Sequence, residues 1–381
     1  MNELINIQKR RESFRHNLLM NVSLLALAGT IYALPSAAEE NRPTVWIELG
    51  GQLERVDAAQ SVFTPAFFDL APTTVANTMV DAQRPSRYSI GGEGRITIVP
   101  KASDWVLLAA IRYGQVKNPR HLHYETPGLP SFFNYKNGVK NANPVVPSLR
   151  MFGDGQTHSA ESHFVLDFQA GKDVGLGLLG NDASSIFSAG VRYTQFTARS
   201  DVTLHARPVV GYGPLIGYSR LGKYYQGHKA FHQTYNAAFH ATRSTHAIGP
   251  SVSWNASMPV LGDGESMTVA FDWGANGALL FGRQRSLVSH NTTGAAAYFI
   301  GTVAHARNYM HATDHTRMRS IIIPNAGGYA NISLKFPNAK VSLGYRGDFF
   351  FNASDSGIDA RSAVNQNFYG PFATISIGLG G

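Results

Sequence analysis

The chain contains no cysteine. Disulfides, thiol catalysis and Cys-ligated zinc are therefore excluded, and a thiol-free chain suits an oxidising periplasm. Charge is sparse as well, with Asp, Glu, Lys and Arg making up 15% of 381 residues. That balance is unlike a soluble α/β enzyme. Long apolar runs are also missing: after the N-terminal segment the longest, Trp105 to Ile111, stops at Arg112, short of the ~20 residues a spanning helix needs. Any membrane crossing must be made by strands. What is abundant, 38 Gly, 16 Tyr and 22 Phe, fits an all-β chain with many turns.

At the N-terminus Lys9, Arg10, Arg11 and Arg15 precede an apolar stretch from Leu18 to Leu34, which ends at Ser36-Ala37-Ala38 before Glu39-Glu40. Residues 1–38 read as a signal peptide, and the rival reading, a membrane-anchoring helix, is disfavoured by the polar interruptions Asn21 and Ser23. Residues 39–381 are then expected to form one barrel domain, still basic after the signal is removed.

The informative pattern is strict alternation, which sends successive side chains to opposite faces of a strand. In Val45–Leu53 the residues Val45, Ile47, Leu49 and Leu53 oppose Glu48 and Gln52; in Tyr88–Val99, Tyr88, Ile90, Ile96 and Ile98 oppose Ser89, Glu93, Arg95 and Thr97. His163–Gly171, Met267–Asn276, Val341–Phe351 and the final segment repeat it. Less clean alternation places four further strands near 104–115, 185–199, 242–257 and 320–335. The count is about ten, each near the ~9–11 residues that cross a bilayer at a tilt.

Gaps between these strands run long, short, long, short. The long ones are 56–86, 116–160, 200–241, 284–319 and 352–366, and the short ones carry turn chemistry such as Gly262-Asp263-Gly264 and Pro337-Asn338. Short turns on one rim and long loops on the other predict a closed antiparallel transmembrane β-barrel, all-β, with periplasmic turns and outer loops. Charged side chains cannot face hydrocarbon cheaply, so the polar face must be the lumen. Its candidate lining residues are Glu48, Glu93, Arg95, Arg112, Asp167, Arg192, Asp272, Lys335, Arg346 and Asp348. Near balance of sign argues for ion pairs across the interior, leaving a salt-bridged plug and a narrow hydrophilic channel both open.

Other chemistry is weakly marked. His305, His311 and His315 with Asp314, and His228 with His232, lie in expected outer loops but show no recognised ligand spacing, so they read as polar loop residues and no metal or cofactor is expected. Ser162 and His163 are adjacent and point to opposite faces, and no Gly-x-Ser-x-Gly elbow occurs, which argues against a hydrolase. Gly91-Gly92-Glu93-Gly94 lies inside a strand and lacks the Lys-Ser/Thr of a phosphate loop. The basic excess is dispersed, against nucleic-acid binding.

From Leu343-Gly-Tyr-Arg-Gly-Asp-Phe-Phe-Phe through Gly357-Ile-Asp-Ala-Arg to Phe368-Tyr-Gly-Pro-Phe-Ala-Thr-Ile-Ser-Ile-Gly-Leu, the chain resembles the Legionella-type major outer-membrane proteins. His163–Gly171, Phe187–Thr194 and Ile248–Pro259 look similar to earlier strands of that family, so the resemblance covers most of residues 160–381. It implies a pore-forming barrel in a bacterial outer membrane, and the reading is then a passive diffusion channel for small hydrophilic solutes, with the barrel-assembly machinery as an expected partner. The alternative is a non-conducting structural or adhesive barrel. Outer-membrane lipid is the expected surrounding, and basic loop residues Arg120, Lys136, Lys140, Arg150, Lys223 and Lys229 are expected to meet lipopolysaccharide phosphates. The sequence is silent on oligomeric state.

Overall fold

The computed structural model describes residues 44–57, 88–100, 103, 105–125, 133–136, 139–144, 152–174, 184–218, 224–262, 266–300, 303–357 and 360–379. The expected signal segment, residues 58–86 of the first long gap, Arg150 and Lys223 lie outside them, as do the side chains of Arg120, Lys136, Lys140 and Lys229.

Ten strands form one closed antiparallel barrel. They are β1 (Val45–Asp57), β2 (Tyr88–Ile98), β3 (Trp105–Glu125), β6 (Phe152–Asp173), β7 (Ser184–Tyr218), β8 (Tyr224–Gly262), β9 (Thr268–Ile300), β10 (Val303–Phe336), β11 (Ala339–Asp355) and β12 (Ala363–Leu379). The remaining two, β4 (Phe133–Lys136) and β5 (Val139–Pro144), make a separate hairpin within the β3–β6 connection. Each barrel strand pairs with its neighbours in sequence, and β1 closes the sheet against β12 from Val45↔Leu379 onward. Closure removes both sheet edges. Tight reversals at one end include the two-residue turn at Pro337-Asn338, and Gly262 with φ +111°, where an added Cβ would lie 2.1 Å from the Met267 carbonyl oxygen.

The strand count agrees with the sequence, but the strand lengths do not. The long gaps at 116–160, 200–241 and 284–319 are mostly strand: β7 and β8 run for 35 and 39 residues, and β9 and β10 for 33 and 34. The physical reason is a change of phase. Near the short turns the outward residues are apolar (Val191 and Tyr193 on β7, Ile248 on β8, Phe281 on β9, Ile322 on β10), while Arg192, Thr194 and Ser251 point inward and are buried. Further along the same strands, with parity unbroken, the outward residues become Thr197, Arg199, Asp201, His240, Arg283 and Arg285. There the inward residues Val202, Leu204, Ala206, Ala237, Phe239, Ala241 and Val288 form a buried apolar cluster. A search for one continuous apolar face ends each strand where the faces exchange character.

The two phases report two solvents. An outside apolar band with polar groups within fits lipid; a polar outside over an interior that combines this cluster with buried Arg243, Gln284, Ser286 and His290 fits water. Ten strands ~4.8 Å apart and tilted ~40° enclose a backbone cylinder roughly 20 Å across, and opposing side chains fill most of that width.

Candidate functional site

The ten side chains expected to line the lumen all point into the barrel, and they meet as five ion pairs. Arg192 grips Asp167 with two nitrogens, Nε to Oδ1 at 2.6 Å and Nη2 to Oδ2 at 3.1 Å. Arg112 pairs with Asp348 and Arg346 with Glu93, on strands four and three places apart in the closed order. Arg95 lies 3.6 Å from Glu48, whose other oxygen accepts a hydrogen bond from Ser376 at 2.9 Å. Asp272 takes Lys335 at 3.5 Å and also Lys340 at 2.7 Å, a base absent from the expected set. Removing a charge from water is costly unless it is paired, and all five pairs lie on the side away from lipid. Between them lies a cavity of about 60 Å³ lined by Glu93, Arg95, Arg112, Asp167, Arg192 and Tyr329 among others, with room for a few water molecules.

Toward the long hairpins this polar region stops at an apolar layer. Val56, Val116, Val165, Phe196, Ala247, Leu280, Ile321, Ile323, Phe350 and Phe368 form one buried cluster, and together they come from every barrel strand except β2. Phe196 and Phe368 stack with ring centroids 5.9 Å apart, and Phe350 closes on Phe196 at 4.9 Å. Because β7 and β12 stand five places apart in the closed order of ten, the Phe196–Phe368 contact spans the diameter of the barrel. His163 packs its ring on Phe368 at 3.9 Å and lies 3.4 Å from Glu54. Gly114 makes room for this pair, since a Cβ there would lie 2.3 Å from both Glu54 and His163.

Sequence reasoning missed this septum, although its signal was present. Phe196 shares parity with Arg192, Phe350 with Arg346 and Asp348, and Phe368 with Thr374 and Ser376. Here three inward phenylalanines on β7, β11 and β12, brought together by closure, mark where the lumen closes.

Beyond the septum, on the outer face, carboxylates pair with imidazoles. Asp154 meets His121 Nε2 at 2.5 Å, and that hydrogen bond is the main reason its carboxyl titrates below the usual range. Asp201 is also held low: burial works against its ionisation, but hydrogen bonds from His240 and Arg199 outweigh that. Among the described residues no group of three or more His, Asp or Glu converges as a metal site. On β10, His311 and His315 lie on the inward parity and Asp314 on the outward one, so those three do not gather; His305, His228 and His232 have side chains outside the description. Ser162 and His163 stand on opposite faces, with His163 buried beside Glu54.

A closed ten-stranded cylinder with an apolar band outside and ion pairs within decides the architecture. The chain folds as a transmembrane β-barrel. No protein-family model and no curated protein matches it. Among solved structures, a TodX monoaromatic hydrocarbon channel with its S2 and S3 segments altered aligns over 88% of this chain and 90% of its own, at 11% identity and a TM-score of 0.16. OmpT of Vibrio cholerae aligns over 90% of this chain and 100% of its own, at 8% identity and a TM-score of 0.12. Likeness at that level carries no functional argument, and the geometry stands on its own.

Proposed function

We propose that the chain is a bacterial outer-membrane barrel with a sealed lumen, which serves the cell surface through the β-extensions that rise beyond the apolar band. The observation that carries this reading is the septum, where rings from opposite strands touch across the bore. A hydrophobic constriction excludes water and ions even where its neighbours are polar. The outer-membrane location is supported by the apolar band and by the resemblance to the Legionella-type major outer-membrane proteins, whose membership is proposed with it.

The polar cavity beneath the septum favours a second reading, a narrow diffusion channel for small hydrophilic solutes that conducts when the aromatic layer parts. Planar-bilayer recording separates the two. The sealed reading expects no steps above background from the wild-type barrel and steady steps from Phe196→Ala/Phe368→Ala, with folding verified by gel mobility before and after heating. Steps of ordinary porin size from the wild type would overturn it and establish the channel.

A further inference from the structure

The boundary between the two solvents carries a cationic cluster that the lumen does not use. Arg283 and Arg285 stand two residues apart on the outward face of β9, so their Cα atoms are ~7 Å apart. His246 on β8 pairs directly opposite Arg283, and on the other side, on β10, Ser320 does the same; Ser244 stands opposite Arg285. All three basic side chains are exposed, and among the described residues neither arginine has an ion-pair partner. The Tyr193 hydroxyl lies 3.2 Å from His246 Nδ1 on the same outward face. One step toward the short turns the outward surface is apolar: Phe281, Ile248 and Ile322 are each about half exposed. Cations directly above exposed apolar side chains, with no acid in the same two rows of β8–β10, match an amphiphile with a phosphate head and acyl chains.

We propose that Arg283, Arg285 and His246 bind a phosphate of an outer-leaflet phosphoglycolipid whose acyl chains lie along Phe281, Ile248 and Ile322. Guanidinium forks match phosphate oxygens two at a time, and the serine hydroxyls on flanking strands add donors at the same level. The inference rests on the membrane reading above and names the lipid partner at one place on the barrel.

The test uses the folded full-length barrel in neutral detergent. Probes are diphosphoryl lipid A, the same lipid stripped of phosphate, phosphatidylglycerol and inorganic phosphate, with binding read by native mass spectrometry. Diphosphoryl lipid A is expected to bind best, and Arg283→Gln/Arg285→Gln to weaken it about tenfold or more. Arg283→Lys/Arg285→Lys should fall between, because charge remains but the fork is lost. Lys117→Gln, on the distant β3, should change binding less than about twofold. Undiminished binding by the Gln variant, or equal binding of the stripped lipid, overturns the site. Equal binding of phosphatidylglycerol overturns the glycolipid assignment, and binding of inorganic phosphate alone overturns a lipid ligand. Failure of the folded wild type to insert into liposomes would instead overturn the membrane reading, so the two outcomes are distinguishable.

Discussion

Between the short turns and the septum the barrel carries apolar groups outside and ion pairs inside; above it, β7, β8 and β9 carry His, Arg and Asp outside and close on Phe239, Leu204 and Val288. The β7–β8 ladder keeps one register from Ser184↔Ser257 to Ala206↔Tyr235, and the β8–β9 ladder keeps one from Phe231↔Tyr298 to Pro259↔Ala270, so each passes from one region into the other. One backbone ladder therefore carries an apolar outer face and, further along, a polar one. What differs is the medium each segment was selected to face, which shows that register and solvation are separable in a sheet that bonds to itself.

The largest effect should come from breaking a buried pair in the lower region. Arg192→Met strands Asp167 without its bidentate partner, and a loss of ~3–5 kcal/mol is expected in urea unfolding from liposomes. Arg192→Met/Asp167→Leu should recover most of it, because an apolar pair of similar volume needs no compensation. If the double variant is as unstable as the single one, the pairs stabilise through the surrounding network instead.

In the upper region the corresponding loss is apolar. Phe239→Ala should cost ~3–4 kcal/mol locally, read as faster amide exchange in β7 and β8 above Arg199, with little change around Arg192. Exchange that accelerates equally in both regions would show that the barrel opens as one unit.

Outward substitutions should separate the regions by sign. Ile322→Arg places a charge in lipid at ~2–4 kcal/mol near the midplane, whereas Thr203→Arg, on an outward position of the extension, should stay within ~0.5 kcal/mol. Similar costs at both sites would deny that the faces exchange character.

Acid should act on the extension first. Asp154 and Asp201 titrate below their ordinary values in the folded protein, so the stability they supply is full above the usual carboxylate range and drains away as pH falls through their lowered values. Limited proteolysis near pH 3 should nick the extension sooner than at pH 7, and His121→Ala/His240→Ala should flatten that difference. An unchanged cutting rate in the wild type would show that these exposed pairs contribute little, as solvent screening often dictates.

How far this was legible in the sequence follows from the same comparison. In the lower region the alternation of Ile375 and Ile377 against Thr374 and Ser376 sets facing and register together, and the strand count and the polar residues came from it. The extension was read as loop because its apolar residues, Val202, Leu204 and Phe239, occupy the parity that Arg192 and Ser251 hold lower down. A rule tied to one face sees noise there. The septum escaped for a related reason: a Phe on the polar face of each of β7, β11 and β12 looks like an interruption until closure brings the three together. Lys340 was missed because it sits at a strand start, beside the two-residue turn.

The reach of β7 and β8 has a mechanical consequence. A partner that takes hold of a surface loop pulls on a tether, which straightens before it transmits any load. A partner that takes hold of the tip of a hairpin 35 and 39 residues long pulls along strands bonded to β6 and β9 for much of their length. The load then falls on many parallel hydrogen bonds in shear and reaches the lipid-embedded wall directly, so tension applied at the tip is felt by the barrel as a whole.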